Sequence, residues 1–142
     1  MSSELKVCEI DSELLENVKT LRLKKNPNNE CMILKIEVGT QTVKIDETFE
    51  DVLPEDIQEE LPAHQPRYVV YSYKLKHDDG RISYPFIFIF ISPSGGKPEL
   101  QMMYAGSKLS IVNACGFTKV FELRSVEEFT EEWLKKKLSF FR

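Results

Sequence analysis

Six consecutive residues, Phe86-Ile87-Phe88-Ile89-Phe90-Ile91, form the longest uninterrupted apolar run in this chain. A helix that crosses a membrane needs about 20 such residues, so this run is too short to span a bilayer. Its β-branched and aromatic residues favour a strand. Because alternate side chains of a strand point to opposite faces, this strand is apolar on both faces. We therefore expect the central strand of a sheet that is covered by helices on both sides.

Hydrophobic spacing predicts the elements of the N-terminal half. Apolar residues at helical intervals indicate a helix over residues 11–25, with Asp11 at its start. Residues 31–45 alternate between apolar and polar side chains on both sides of a turn, which predicts a strand hairpin. A short acidic helix bounded by prolines is expected on the surface over residues 54–61.

The C-terminal half begins with a second hairpin. A long aromatic strand over residues 67–76 and a return strand over residues 82–91 flank Asp79-Gly80, a strong turn signal. The elements expected after it are a helix over residues 98–113, a strand over residues 117–124 and a last helix that begins with a capping box at Ser125. Phe140 and Phe141 follow that helix, and we expect this apolar tail to fold back on the domain.

The element order is therefore α-β-β-α-β-β-α-β-α. Strand pairs joined by short turns are antiparallel, whereas the strand–helix–strand unit over residues 82–124 predicts a parallel pair. The expected fold class is α/β in the mixed α+β sense, with one mixed sheet between helical layers. The length of 142 residues and an apolar fraction of 42% suit one domain, over residues 1–142.

Composition excludes several classes of partner. The 19 basic and 23 acidic residues give a net charge of −4, and no basic stripe argues for nucleic acid. The three cysteines are odd in number and form no C-x-x-C pair, which indicates reduced thiols in the cytosol or nucleus. The first residues lack the pattern of a signal peptide. We expect an intracellular monomer that binds no membrane, metal or cofactor.

Catalytic patterns do not occur in the sequence. His64 and His77 lack metal-ligand spacing and are expected on the surface. Gly95-Gly96-Lys97 departs twice from a phosphate-binding loop, because Ile91 replaces the first glycine and Pro98 follows the lysine. No nucleophile with a base and an orienting group can be assembled, so we expect a protein that is not an enzyme.

The helix over residues 98–113 carries the clearest functional signal. At 100° per residue, its core stripe comprises Leu100, Met103, Tyr104, Ser107, Ile111 and Ala114. The far side comprises Met102, Ala105, Gly106, Leu109 and Val112, with Gln101 and Lys108 on one flank. Surface helices are usually polar on the far side, so this ridge is either covered by the same domain or inserts into a groove on a partner.

Several segments resemble the actin-depolymerising factor homology (cofilin-like) domain family, and within it the glia maturation factors. They are Pro98-Glu99-Leu100-Gln101-Met102-Met103-Tyr104-Ala105-Gly106-Ser107-Lys108, Arg67-Tyr68-Val69-Val70-Tyr71-Ser72-Tyr73-Lys74, His77-Asp78-Asp79-Gly80-Arg81 and the ending from Trp133 to Arg142. The resemblance covers nearly the whole chain. It implies the cofilin-like (gelsolin-like) fold and a binding function in the actin cytoskeleton.

The resemblance also implies a partner and its contact residues. Glia maturation factors bind the actin-related protein 2/3 complex, inhibit branch nucleation and promote debranching, whereas cofilin-like members bind actin. The implied partner-binding residues are Ser2, Ser3, Glu4, Leu5, Lys97, Gln101, Met102, Ala105, Gly106, Lys108, Leu109, Val112, Arg124 and Ser125. The implied second contact comprises His77, Asp78, Asp79 and Arg81.

Two alternatives stay open at this point. A cofilin-like protein that severs filaments would use a basic second surface, for which Lys135-Lys136-Lys137 is a candidate. The acidic Asp78-Asp79 tip and the uncharged far side of the long helix argue against it. An intracellular signalling protein that modulates kinases is the alternative from another class.

Overall fold

The computed structural model describes residues 7–24 and 28–141. Its strands are β1 (Glu9–Ile10), β2 (Glu30–Glu37), β3 (Thr42–Glu50), β4 (Arg67–Ser72), β5 (Leu75–Lys76), β6 (Ile82–Ser83), β7 (Phe86–Ile91) and β8 (Lys119–Leu123). Its α-helices are α1 (Ser12–Leu23), α2 (Pro54–Gln58), α3 (Pro98–Cys115) and α4 (Glu131–Leu138). Short 3₁₀ turns follow at Val126–Glu128 and Ser139–Phe141.

Six strands form one mixed sheet in the order β1-β3-β2-β4-β7-β8. The pairs β2–β3, β2–β4 and β4–β7 are antiparallel, whereas β1–β3 and β7–β8 are parallel. The parallel β7–β8 pair, joined through α3, confirms the predicted strand–helix–strand unit. The two remaining strands, β5 and β6, form a separate hairpin.

The apolar run is a strand with a hydrophobic layer on each face, as predicted. Phe88 and Phe90 belong to a core under α1 and α3, where Leu14 and Tyr104 are also buried. Ile87, Ile89 and Ile91 belong to a second core under α2 and α4. The mixed sheet between two helical layers is therefore confirmed, and it fixes α3 on one outer face of the molecule.

Both long strands predicted around the second hairpin are interrupted. The Tyr73 N–H still donates to the Pro85 carbonyl (3.2 Å), in register with the Ser72–Phe86 pair, but the next N–H, that of Lys74, donates to Asn29 Oδ1 (2.8 Å). Pro85 has no N–H of its own for a sheet ladder, so the return strand breaks there as well. These interruptions release β5 and β6 from the sheet as a projecting hairpin, which turns at Asp79-Gly80 as predicted.

Several predicted helix ends are wrong for local reasons. The last helix begins after Thr130, whose Oγ1 accepts from the Trp133 N–H (3.1 Å), and not at Ser125. The Ser125 hydroxyl instead donates to Glu127 Oε1 (2.5 Å). Helix α3 runs to Cys115, two residues further than predicted, although its C-cap is Gly116 (φ 70°), the glycine that suits this position in the sequence.

The short acidic helix was expected on the surface, but one side of it belongs to the core. Pro54, Ile57 and Leu61 are buried, and Ile57 and Leu61 pack under the sheet. Strand β1 was not predicted, because two residues are too few to show an alternating pattern. The predicted helix end near residue 25 lies outside the described residues, and the helix itself ends at Leu23.

Candidate functional site

Helix α3 has one buried face and one exposed apolar face. Tyr104, Ser107, Ile111 and Cys115 are buried on its inner face. On the outer face, Met102 is 57% exposed and Leu109 is 67% exposed, although both are large apolar residues. Ala105 is exposed beside them, and Gly106 is half-buried. These four residues, Met102, Ala105, Gly106 and Leu109, form what we call the α3 ridge.

Two residues of α3 were assigned to the wrong face. Ala114 was expected in the core but is exposed, and Val112 was expected on the far side but packs partly against the core. The buried face is rotated toward Cys115, which lies on the same side of the helix as Val112. The outer ridge is therefore narrower than the sequence predicted, and Val112 lies at its border.

Polar anchors inside the domain hold α3 in place. The Tyr104 hydroxyl accepts from the Ile36 N–H (2.8 Å), and the Tyr104 carbonyl accepts from the Tyr68 hydroxyl. Burial raises the pKa of the Tyr68 hydroxyl, so it stays protonated and able to donate. Ser107 Oγ accepts from the Cys8 N–H (3.0 Å). Because buried polar groups strongly prefer to keep their partners, these bonds favour one position of the helix on the sheet.

Residues from distant parts of the sequence meet at the N-terminal end of α3. Gln101 Nε2 donates to the Pro93 carbonyl (3.1 Å), and the Ser92 N–H donates to the Leu123 carbonyl (2.9 Å). These bonds tie the loop over residues 92–97 to both α3 and the end of β8. The structure therefore brings Lys97 and Gln101 to the same end of the molecule as Arg124 and Ser125, which directly follow β8.

Gly96 is required where this loop crosses the preceding segment. A Cβ atom at Gly96 would lie 2.3 Å from the His64 carbonyl oxygen, a backbone atom that cannot rotate away. We expect Gly96→Ala to lower the free energy of unfolding by about 1–3 kcal/mol, as overpacking usually does. Gly39→Ala is the matched control, since no atom lies within 4 Å of a Cβ there. Urea denaturation of both variants measures the difference, and equal midpoints would contradict the close packing.

The two lysines predicted at the site differ in their surroundings. Lys97 is exposed at the start of α3. Lys108 forms an ion pair with Glu122 of β8, and its side chain is only 25% exposed. Because Glu122 offsets the Lys108 charge, the flank of the α3 ridge is close to neutral. The sequence does not predict the pairing of Lys108 with Glu122, because the two residues are 14 positions apart and meet only when α3 packs beside β8.

The N-terminal contact residues Ser2, Ser3, Glu4 and Leu5 lie outside the described residues. The described chain begins at Val7, which is 58% exposed. Its neighbour Cys8 is hydrogen-bonded to Ser107 of α3, so the N-terminal segment joins the domain beside this helix.

The predicted second contact lies on the projecting hairpin. Arg81 donates to Asp79 through its backbone N–H (3.0 Å) and its Nε (2.6 Å). These two hydrogen bonds and the Arg81 charge hold the pKa of Asp79 below its usual value. His77 is half-buried, with Nε2 2.8 Å from Ser83 Oγ. Since Asp79 and Arg81 satisfy each other, the exposed carboxylate of Asp78 gives the tip its net charge.

A groove of about 700 Å³ separates this hairpin from α4. Its lining includes Tyr84 of the hairpin segment, Lys119 of β8 and Lys135 of α4, and none of its described lining residues belongs to α3. The α3 ridge and this hairpin–α4 groove are therefore two separate candidate surfaces. The sequence does not predict the exposed position of Tyr84, which is 43% exposed, because its pattern indicates one continuous strand over residues 82–91.

Other kinds of site find little support in the described part of the chain. Cys8, Cys31 and Cys115 are buried and free of disulfides, and burial raises the pKa of the Cys31 thiol. Within residues 7–24 and 28–141, no three His, Cys, Asp or Glu residues form a group that could hold a metal ion. No helix among the same residues combines the length and apolar character needed to cross a membrane.

Comparisons with known proteins agree with this geometry. Residues 7–139 match the family described as cofilin/tropomyosin-type actin-binding protein. The human protein "Glia maturation factor beta" is 51% identical over 99% of both chains, and the Drosophila melanogaster "Glia maturation factor" is 48% identical over 96% of this chain and 99% of that one.

Solved structures give the same result. The glia maturation factor from Caenorhabditis elegans has a TM-score of 0.80 and 39% identity, covering 96% of this chain and 99% of that one. Cofilin from Streptomyces griseoflavus has a TM-score of 0.81 at 19% identity, covering 94% and 98%, which shows the shared fold alone. The chain belongs to the cofilin/tropomyosin-type actin-binding family and, within it, to the glia maturation factors.

Proposed function

We propose that this protein binds the actin-related protein 2/3 complex through α3, inhibits branch nucleation and promotes debranching of actin filaments. Its family makes it an actin-regulating protein, and the proposal adds the partner and the outcome. The observation that carries it is the α3 ridge, which exposes Met102 and Leu109 on a helix anchored through its opposite face. An exposed apolar face on a fixed helix suits insertion into a groove.

The proposed contact surface extends from the ridge to its surroundings. Lys97, Gln101, Arg124 and Ser125 flank its N-terminal end, and Lys108 and Val112 border it. The proposal also assigns residues 2–5, which precede Cys8 in the sequence, to this surface. Small residues at Ala105 and Gly106 allow close approach of a partner, while the flexible Met102 side chain adapts to its shape. In this proposal, binding alone inhibits branch nucleation and promotes debranching, so the protein acts without catalysis.

Charge favours the actin-related protein 2/3 complex over plain filaments. The α3 ridge carries no charge, and Glu122 offsets the charge of Lys108 on its flank. The hairpin tip carries the negative charge of Asp78. Since electrostatic complementarity selects between related partners, these features disfavour a filament contact that requires basic groups on this protein. In this proposal the protein is a monomer with one domain over residues 1–142. It acts on actin networks in the cytoplasm.

One observation favours a second candidate function, cofilin-like filament binding and severing. The hairpin–α4 groove is lined by Lys76, Lys119 and Lys135, so it provides basic groups on a second surface. A second surface is what a protein needs to contact two neighbouring subunits of a filament. Under the leading proposal, the same groove supplies only an auxiliary contact.

Equilibrium binding to two targets tests the proposal. The purified actin-related protein 2/3 complex and unbranched filaments are titrated with the protein in the same buffer. We expect saturable binding to the complex at concentrations where co-sedimentation with unbranched filaments is weak. Tighter binding to plain filaments than to the complex would overturn the proposal in favour of the second candidate.

The two lysines are expected to contribute unequally to the association rate. Lys97→Glu should slow association with the complex several-fold at low salt, because an exposed charge next to the ridge steers the encounter. The double variant Lys108→Gln/Glu122→Gln should have a smaller effect, since it removes two charges that offset each other. Stopped-flow association measured over increasing salt is the check. The Lys97 effect should fade above 0.1 M salt, where charges are screened within about 10 Å, and a salt-independent effect would contradict steering.

A further inference from the structure

We infer that a cleft beside the N-terminal half of α3 binds an acidic side chain of the same protein partner that contacts the α3 ridge. The cleft has a volume of about 350 Å³ and lies between the β2–β3 hairpin and α3. Its lining includes Lys35, Lys44 and Arg67 and the apolar residues Val38, Ile45 and Leu100. The inference rests on the proposed function for the identity of the partner, but the chemistry of the cleft stands on its own residues.

Arg67 lies in the cleft with hydrogen-bonding capacity to spare. Its side chain is 13% exposed, and among the described residues its buried Nε has no hydrogen-bond acceptor. Asp46 Oδ2 is 3.6 Å from Nε, close enough for attraction between charges but too far for a hydrogen bond. Nη1 donates to the Pro66 carbonyl (2.8 Å) and only weakly to the Tyr104 hydroxyl (3.5 Å). A guanidinium with five N–H donors is therefore left incompletely paired.

The charges around the cleft call for one more negative group. Lys44 is paired with Glu37 (2.6 Å), whereas Lys35 and Arg67 share Asp46 at 3.5 and 3.6 Å. Asp11 also attracts Lys44, so the unbalanced positive charge belongs to Lys35 and Arg67, and a single carboxylate from outside restores neutrality between these two cations and Asp46. Arginine binds carboxylates through paired N–H donors, so a carboxylate matches both the charge and the geometry of Arg67.

The remaining walls fit the residue next to that carboxylate. Val38 is 54% exposed at the rim, and Ile45 and Leu100 are partly buried apolar residues of the lining. Leu100 lies about 200° around α3 from Met102, so the cleft borders the flank of the helix at Gln101 and not the α3 ridge itself. A partner segment that extends from the ridge past Gln101 would place an acidic residue against Arg67 and an apolar neighbour against Leu100. The expected occupant is an acidic residue adjacent to an apolar one.

A peptide probe tests the cleft without the large partner. The full chain, labelled with ¹⁵N, is titrated with the capped dipeptide acetyl-Leu-Glu-amide and, as control, with acetyl-Leu-Gln-amide. The Nε–H signal of Arg67 is a sensitive reporter on the guanidinium, because burial protects this proton from exchange with water while 13% of the side chain stays exposed to a ligand. We expect a saturable shift of this signal with the Leu-Glu peptide and a response at least several-fold weaker with Leu-Gln. Equal responses, or none with either peptide, would overturn the inference.

Variants connect the cleft to partner binding. Arg67→Gln and Lys35→Gln are each expected to weaken binding to the actin-related protein 2/3 complex at least several-fold. Lys35→Gln lies on a side chain that is 44% exposed, so it reports on the cleft even if Arg67→Gln unfolds the domain. Lys19→Gln, on the exposed side of α1, is the matched control. Normal binding by folded cleft variants would overturn this inference and leave the proposed function intact, whereas failure of the unmodified protein to bind would overturn the proposed function.

Discussion

Replacing Met102 or Leu109 with Asp is expected to weaken binding to the actin-related protein 2/3 complex by about 100-fold or more, while the domain stays folded. These side chains are 57% and 67% exposed, so a carboxylate at either position stays hydrated in the free protein. In the complex the same carboxylate would be buried without a partner, which costs about 3 kcal/mol or more. Residues at the centre of an interface typically show losses of this size.

The matched control is Leu23→Asp, which makes the same chemical change on α1. Leu23 is 72% exposed and lies outside the proposed contact surface. We expect its binding constant and its melting temperature to stay near those of the unmodified protein. If Met102→Asp or Leu109→Asp unfolds the domain, the ridge is part of the core. If Leu23→Asp weakens binding equally, the loss reflects general charge and not the ridge.

Leu138→Ala is expected to lower the free energy of unfolding by about 2–5 kcal/mol, as other truncations of buried leucines do. Leu138 is 5% exposed at the end of α4 and belongs to the core that contains Phe129 and Leu134. Removing its side chain leaves a cavity between α4 and the sheet. Chemical denaturation monitored by the fluorescence of Trp133, a partly buried neighbour in the same core, measures the loss.

Phe140→Ala provides the contrast for this second prediction. Phe140 is 75% exposed, so its truncation should change the free energy of unfolding by less than about 0.5 kcal/mol. A large loss of stability with Phe140→Ala, or none with Leu138→Ala, would contradict the described packing. The expectation that the apolar tail folds back is thus wrong for Phe140, and the side chain of Phe141 lies outside what the structure describes.

The architecture could be predicted because strong local patterns agree with it. The run Phe86–Ile91 is apolar on both faces, which by itself requires a layer on each side of the sheet. The α1 residues Leu14, Val18 and Leu21 are all buried, as their helical spacing predicted. The Asp79-Gly80 turn also formed as expected, because its signal is confined to adjacent residues.

Details that depend on distant partners could not be predicted from local patterns. The strand break after Tyr73 depends on Asn29, whose Oδ1 accepts from the Lys74 N–H, and the position of α3 depends on the Ile36 N–H, which donates to the Tyr104 hydroxyl. The start of α4 was misplaced because Ser125 and Thr130 both precede acidic residues, and only the fold decides which of them caps the helix.

In the candidate site, too, features set by local sequence patterns could be predicted, whereas those that depend on distant residues could not. Helical periodicity placed Met102 and Leu109 on the far side of α3 but left open whether the same domain covers them, and the structure shows both exposed. The pairing of Lys108 with Glu122 could not be predicted, because it depends on the packing of α3 beside β8. Because Glu122 offsets the positive charge of Lys108, the site is less basic than the sequence predicts. This strengthens the expected preference for a partner other than unbranched filaments.

Imaging branched and unbranched filaments side by side, with the protein at one concentration, tests the central claim most directly. Branch lifetime, filament fragmentation and filament decoration are recorded in the same field. We expect the unmodified protein to accelerate the loss of branches, with little decoration and no severing of unbranched filaments. We expect no debranching with Met102→Asp. Severing and strong decoration of unbranched filaments at the concentration that removes branches would contradict the central claim and assign the chain a cofilin-like activity.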